Sequence, residues 1–286
     1  EMTVISAIPF LQNTDFPGAA TGQIPLIIST LNFREHEAEQ KGVPMINYAM
    51  FSKTGERPHN EDAVRMLSEK NRSVFALGDG LGGHGGGDVA SACATEEAVD
   101  VFRRERNPEN YLSHAFEAAQ GRIMEKKQSG GTMRNMKSTM VLLQIENGCA
   151  RWGHIGDSRL YYFRNGRMQG RTLDHSVPQM LALSGQIRED EIRHHGDRNR
   201  VLRSLGTSWE ESSAYTLSKP VKADSGTAFL MCSDGFWELI QERDMERTLN
   251  SSDSVAQWLK KMEMIVLENG TGTKMDNYSA ICIYIE

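Results

Sequence analysis

Apolar residues run in blocks of six to eight at 46–52, 73–78, 138–145, 149–155, 159–164, 227–232 and 278–285, separated by glycine, asparagine and charged residues. Short apolar runs bounded by turn formers predict strands, seven in all. Three longer stretches space their apolar residues as helices do: 88–104 and 108–128, both rich in alanine, and 254–267. Neighbouring strand blocks meet at Glu146-Asn147-Gly148 and Arg164-Asn165-Gly166. Asn-Gly suits the positive φ angles of tight hairpins, so these strands should pair antiparallel. Hairpins interleaved with helix pairs predict an α+β layered fold and not a doubly wound parallel sheet. No internal repeat or low-complexity tract interrupts the pattern.

The pattern is different at the start. Half of the eight prolines, Pro9, Pro17, Pro25 and Pro44, fall within residues 1–44, with a charged run at 34–41. Proline excludes helix interiors and central strands, so 1–44 is expected to be a flanking arm or linker that lends no strand to the core, and 45–286 a catalytic domain. Glu1-Met2-Thr3-Val4 lacks the basic and apolar segments of a secretory signal. With 39% hydrophobic and 24% charged residues the chain is expected to fold. A formal charge of −6 argues against general nucleic-acid or anionic-membrane binding, and no apolar stretch approaches the ~20 residues of a membrane span. Cys93, Cys149, Cys232 and Cys282 form no CxxC pair and read as small buried hydrophobes, which fits a cytoplasmic chain with reduced thiols.

The chemistry lies in acidic residues placed beside glycines at strand ends. Arg57-Pro58-His59-Asn60-Glu61-Asp62 follows the first strand block, Gly78-Asp79-Gly80-Leu81-Gly82-Gly83-His84 ends the second, Ser233-Asp234-Gly235 ends the sixth, and Asp276-Asn277 opens the last. Glycine removes the β-carbon that would keep a carboxylate and a carbonyl from approaching one point. Hard oxygen donors of this kind suit Mg²⁺ or Mn²⁺. Taken together with Gly156-Asp157-Ser158-Arg159 and Asp174-His175-Ser176, these motifs stand in the order found in the metal-dependent serine/threonine phosphatases of type 2C, or PPM. The chain resembles the bacterial branch of that family over about 46–285.

The resemblance implies a four-layer αββα sandwich, two antiparallel sheets flanked by helix pairs, with a binuclear metal site at one edge. Asp79 would bridge two Mn²⁺ or Mg²⁺ ions, the Gly80 carbonyl would bind one, Asp234 and Asp276 would complete the other, and Asp157 would serve a third, weaker site. Glu61 and Asp62 would hold the cluster directly or through water, and Arg57 would grip the substrate phosphate. A metal-bridging water would then attack phosphoserine or phosphothreonine in line. Partners would be phosphorylated proteins, among them a serine/threonine kinase and its targets, and the chain would act as a monomer. Animal members carry a histidine after the Asp-Gly where this chain has Leu81; His84 reads as ordering its loop, leaving water to protonate the departing alkoxide. The segment 184–199 matches a flap bordering the site, with His194 and His195 facing solvent. Two other readings stay open: a pseudophosphatase that binds without ions, and a metal-dependent phosphodiesterase or nuclease.

Overall fold

The computed structural model describes residues 3–6, 45–82, 86–209 and 214–286. Its first sheet holds strands β1 (Thr3–Ser6), β3 (Asp62–Glu69), β4 (Arg72–Leu81), β6 (Met140–Glu146), β7 (Cys149–Ile155) and β10 (Thr216–Leu217) in that spatial order. The short strands β5 (Lys137–Ser138) and β11 (Val221–Lys222) pair with β4 and β7. The second sheet runs β2 (Ile46–Lys53), β13 (Tyr278–Ile285), β12 (Thr227–Cys232), β8 (Arg159–Arg164), β9 (Arg167–Arg171). All pairings are antiparallel. Helices α1 (Gly87–Arg104) and α2 (Tyr111–Lys127) cover the first sheet. The second is covered by α4 (Asp234–Trp237), α5 (Glu242–Asn250) and α6 (Val255–Gly270), while α3 (Val177–Leu183) lies in the connection after β9.

The period of two along each strand explains the layering. In β4, Val74 and Ala76 face α1 and α2, while Phe75 and Leu77 face the other sheet. In β12, Ala228, Leu230 and Cys232 face the second helix layer, while Phe229 and Met231 meet Phe75 and Leu77 in the inter-sheet core. Successive side chains alternate faces and here both faces are buried, which is why these strands read as unbroken apolar runs. The hairpins turn as expected: Asn147 and Gly148 take φ of 52° and 71°, Asn165 and Gly166 of 48° and 73°.

All seven expected strands are present, and the three expected helices with them, as 87–104, 111–127 and 255–270. The arm departs from expectation, since Thr3–Ser6 pairs with Arg65–Ser68 and adds an edge strand to the first sheet. Proline punctuates 7–44 but not the first six residues, so nothing there forbids a strand. The rest of the expectation about 1–44 falls outside the described residues, as does His84. Strand β3 went unforeseen because Asp62, Arg65 and Ser68 interrupt its apolar pattern; Arg65 is nonetheless buried, donating to Thr95 Oγ1 (3.2 Å) and Glu96 Oε1 (2.5 Å) on α1.

Candidate active site

The β3–β4 hairpin sets Asp62 directly opposite Asp79. Beyond Asp79 the chain bends inward at Gly80, whose N–H donates to the Glu61 carbonyl at 3.1 Å. A β-carbon at Gly80 would collide with the Gly87 carbonyl at the head of α1, so only glycine lets strand, helix and Glu61 meet. The second sheet brings the other acids. Ser233-Asp234-Gly235 follows β12, Asp276-Asn277 precedes β13, and the pairing of Cys232 with Ala280 draws the two together. A β-carbon at Gly235 would strike the Asn277 carbonyl. Asp157 comes from the β7–β8 turn, where Gly156 takes φ +100° and a β-carbon would lie 2.6 Å from Thr139 Cγ2.

Hydrogen bonds hold these acids from behind. Asp62 Oδ2 accepts from Ser233 Oγ and Ser279 Oγ, each at 2.7 Å, while its buried Oδ1 has no partner among the described residues. The Asp79 amide donates to Thr139 Oγ1 (3.0 Å), and its carbonyl accepts from Ser138 Oγ (3.0 Å) and the Thr139 amide (2.8 Å). Asp157 accepts the Trp237 Nε1 hydrogen on its carbonyl (3.0 Å), and its Oδ1 is a second buried oxygen without a partner. Asn277 fastens the loop before β3, accepting from the Glu61 amide (2.8 Å) and donating to the carbonyls of Thr54 (2.8 Å) and His59 (2.9 Å). At the mouth, Arg57 Nη2 donates to Asp276 Oδ2 at 2.7 Å, both side chains being well exposed.

So many carboxylates in one place resist ionisation. Burial, then the charges of Asp234, Asp62 and Asp157, hold Asp79 well above the carboxylate range. Burial pushes Asp62 up to about 7, burial and Asp276 push Asp234 up to about 6, and burial with Asp234 raises Asp157. Glu61 is raised by burial and Asp88. Glu238, one turn beyond Asp234, is pushed up to about 7 by burial and the Asp234 charge.

The structure thus brings Glu61, Asp62, Asp79, Gly80, Asp157, Asp234 and Asp276 into one neighbourhood with Arg57 at its edge. The roles of Ser233, Asn277, Ser279, Thr139 and Glu238 were not foreseen; Ser233 and Asn277 at least sit inside quoted motifs, whereas nothing local marks Thr139 or Ser279. The segment 184–199 is anchored more firmly than a solvent-facing flap: Ile192 and Arg193 are buried, and Arg193 bonds the Trp237 carbonyl and Glu242. His194 is exposed as expected and His195 half-buried. A cleft of about 460 Å³ opens from Arg57, Asp234 and Asp276 toward this segment. A larger cavity, about 620 Å³, lies at the other end of the second sheet, and none of the expected site residues lines it.

Among the described residues, no three His, Cys, Asp or Glu side chains stand as a closed ligand set. What the cluster offers is unspent donor capacity. Two buried carboxylate oxygens lack partners, and the charge that crowds Asp79 comes from other acids. A divalent cation would satisfy both, and all-oxygen donors fit Mg²⁺ or Mn²⁺.

Comparison with known proteins agrees with this chemistry. The protein phosphatase 2C family model matches residues 52–276. The chain is 26% identical over 234 residues to the serine/threonine phosphatase stp of Listeria welshimeri, covering 79% of this chain and 90% of that protein. It is similar in structure to the serine/threonine phosphatase Stp1 from Staphylococcus aureus, with a TM-score of 0.77, 26% identity, and coverage of 88% of this chain and all of that one. The catalytic domain of PstP in complex with two manganese ions matches with a TM-score of 0.72 and 26% identity, over 85% of this chain and 99% of that one.

Proposed function

The chain belongs to the protein phosphatase 2C family, and from that premise we propose that it is a metal-dependent serine/threonine phosphatase acting on phosphorylated proteins. In this reading Asp79, the Gly80 carbonyl, Asp234 and Asp276 hold two ions, Mn²⁺ or Mg²⁺, with Asp157 serving a third and Glu61 and Asp62 contributing directly or through water. Bound there, divalent ions supply Lewis acidity and a water acidic enough to attack phosphorus near neutral pH.

The residues of the chain do the rest. Ser233 and Ser279 spend one oxygen of Asp62 and orient the other. Thr139 and Ser138 fix the backbone of Asp79 and so the point from which its carboxylate projects. Arg57 stands at the rim, where its guanidinium can exchange one Asp276 oxygen for two phosphate oxygens. Cys232 is no candidate nucleophile, because it is fully buried and burial pushes its thiol pKa up, away from the thiolate a nucleophile needs.

The observation that carries this reading is the buried acid cluster with its two unpartnered oxygens. It also weighs against a pseudophosphatase, since the full acid set is in place. A nuclease would want a basic channel, and the overall charge is −6. We further propose that the chain acts as a monomer in the cytoplasm on a serine/threonine kinase and its targets; its four free cysteines support a reducing compartment. Hydrolysis of a phosphothreonine peptide should stop in EDTA and return with Mn²⁺ or Mg²⁺, while single-stranded DNA stays intact. Peptide turnover that survives exhaustive chelation would sink the metal assignment.

A further inference from the structure

We infer that the cleft beside the acid cluster selects phosphopeptides carrying an acidic residue next to the phosphorylated one, read by Lys274 and Arg198 on its walls; this rests on the phosphatase reading above. With a volume of about 460 Å³, the cleft has room for more than a phosphate group. Its acidic end is the Asp234 and Asp276 corner, where the phosphorylated residue would sit. The rest of its charge is cationic apart from Glu238, and two of those cations, Arg57 and Arg193, are already committed. Arg57 is paired with Asp276, and Arg193 is buried against the Trp237 carbonyl and Glu242.

Two cations are left with capacity. Lys274 is exposed, lies on the cleft wall and makes no hydrogen bond or ion pair among the described residues. Arg198 bonds Glu238 through Nε alone, at 3.2 Å, and its two terminal nitrogens have no partner among the described residues. Each can meet a carboxylate from a bound peptide. In a chain of charge −6, these two cations would give an acidic flank a local attraction set against the general repulsion. Exposed pairs are weak, so the preference per cation should be modest, roughly two- to fivefold.

The test uses the full chain with Mn²⁺ and four substrates: phosphothreonine peptides of one length with glutamate, glutamine or lysine flanks, and p-nitrophenyl phosphate. The expected order of kcat/KM is glutamate over glutamine over lysine. Lys274→Gln and Arg198→Gln should each lower the glutamate-to-glutamine ratio by about two- to fivefold, and Lys274→Glu should bring the lysine-flanked peptide ahead. The preference should shrink as salt is raised. Equal rates on all three peptides, or ratios untouched by all three variants, would overturn the preference and leave the phosphatase reading standing. No turnover of any of the four substrates would overturn both.

Discussion

At the scale of single residues, the acid cluster is a liability that bound cations relieve, and mutations should show both sides of it. Asp79→Asn or Asp234→Asn should cut peptide turnover by more than the roughly 10- to 100-fold that indirect metal partners cost. In EDTA the same variants should unfold at an equal or higher temperature than wild type, because burial and neighbouring acids already raise both carboxyls. A variant that is inactive because it is unfolded would fail the second measurement. Arg57→Ala should raise KM and lower kcat/KM by about 10- to 150-fold, since a charge-assisted hydrogen bond is worth roughly 1.5–3 kcal/mol. Wild-type kinetics in that variant would leave Arg57 with no part beyond its exposed pair to Asp276.

At the scale of elements, two buried clusters tie the site to its scaffold. Arg159 on β8 grips Asp174 with both arms (2.9 and 2.7 Å) and lies 3.4 Å over the ring of Trp237 on α4, whose indole holds the Asp157 carbonyl. Arg159→Ala would strand Asp174, which is 1% exposed, and should cost about 3–5 kcal/mol in denaturant unfolding, toward the lower end because Arg171 stays 3.5 Å away. The second cluster sits behind Gly156. His175 stacks on His154 at 4.6 Å between centroids and accepts the Gly156 amide on Nδ1, and burial followed by the His154 charge pushes its pKa down to about 3 from 6.5. Between those values the unfolded chain binds the proton and the folded one does not, so the contribution of His175 to stability should fall as pH drops from 6.5 toward 3. The raised carboxyls of the acid cluster bind protons in the folded, metal-free chain and pull the other way, so the His175 contribution is read as a difference: from pH 7 to 4 the unfolding midpoint of wild type should fall more, or rise less, than that of His175→Gln, and identical pH profiles would remove the His175 contribution.

What was legible in the sequence follows the same division. Strands buried on both faces announce themselves, and Asn147-Gly148 and Asn165-Gly166 name their own turns. Strand β3 stayed hidden because Arg65 is made burial-competent by Thr95 and Glu96, about thirty residues on. Half-exposed β9 and charged α5, with only Met245, Thr248 and Leu249 buried, carry too little apolar pattern to be seen. In the site, Asp-Gly pairs marked Asp79 and Asp234, but the Ser233 and Ser279 bonds to Asp62 join residues 171 and 217 positions apart, which no local pattern encodes.

At the scale of the whole molecule, each half of the site rides on a different sheet: Asp62 and Asp79 on the first, Asp234 and Asp276 at the ends of strands in the second. We keep the proposed catalytic unit at 45–286, with β1 as an added edge strand. Deleting residues 1–44 should leave peptide turnover within a few-fold. It should lower the unfolding midpoint by about 2–4 °C, the shift expected for the loss of ~1 kcal/mol; an insoluble truncation would show that the strand is part of the core. The position of β13 has a separate consequence. It lies between β2 and β12 and pairs along all eight residues with a strand more than 200 positions earlier. Without it β2 has no strand partner among the described residues, one edge of β12 is unpaired, and Asp276 is missing from the corner. Fragments ending near Lys274 should therefore be both inert and prone to associate edge to edge, and a synthetic peptide spanning 275–286, added in trans, should restore solubility and turnover together.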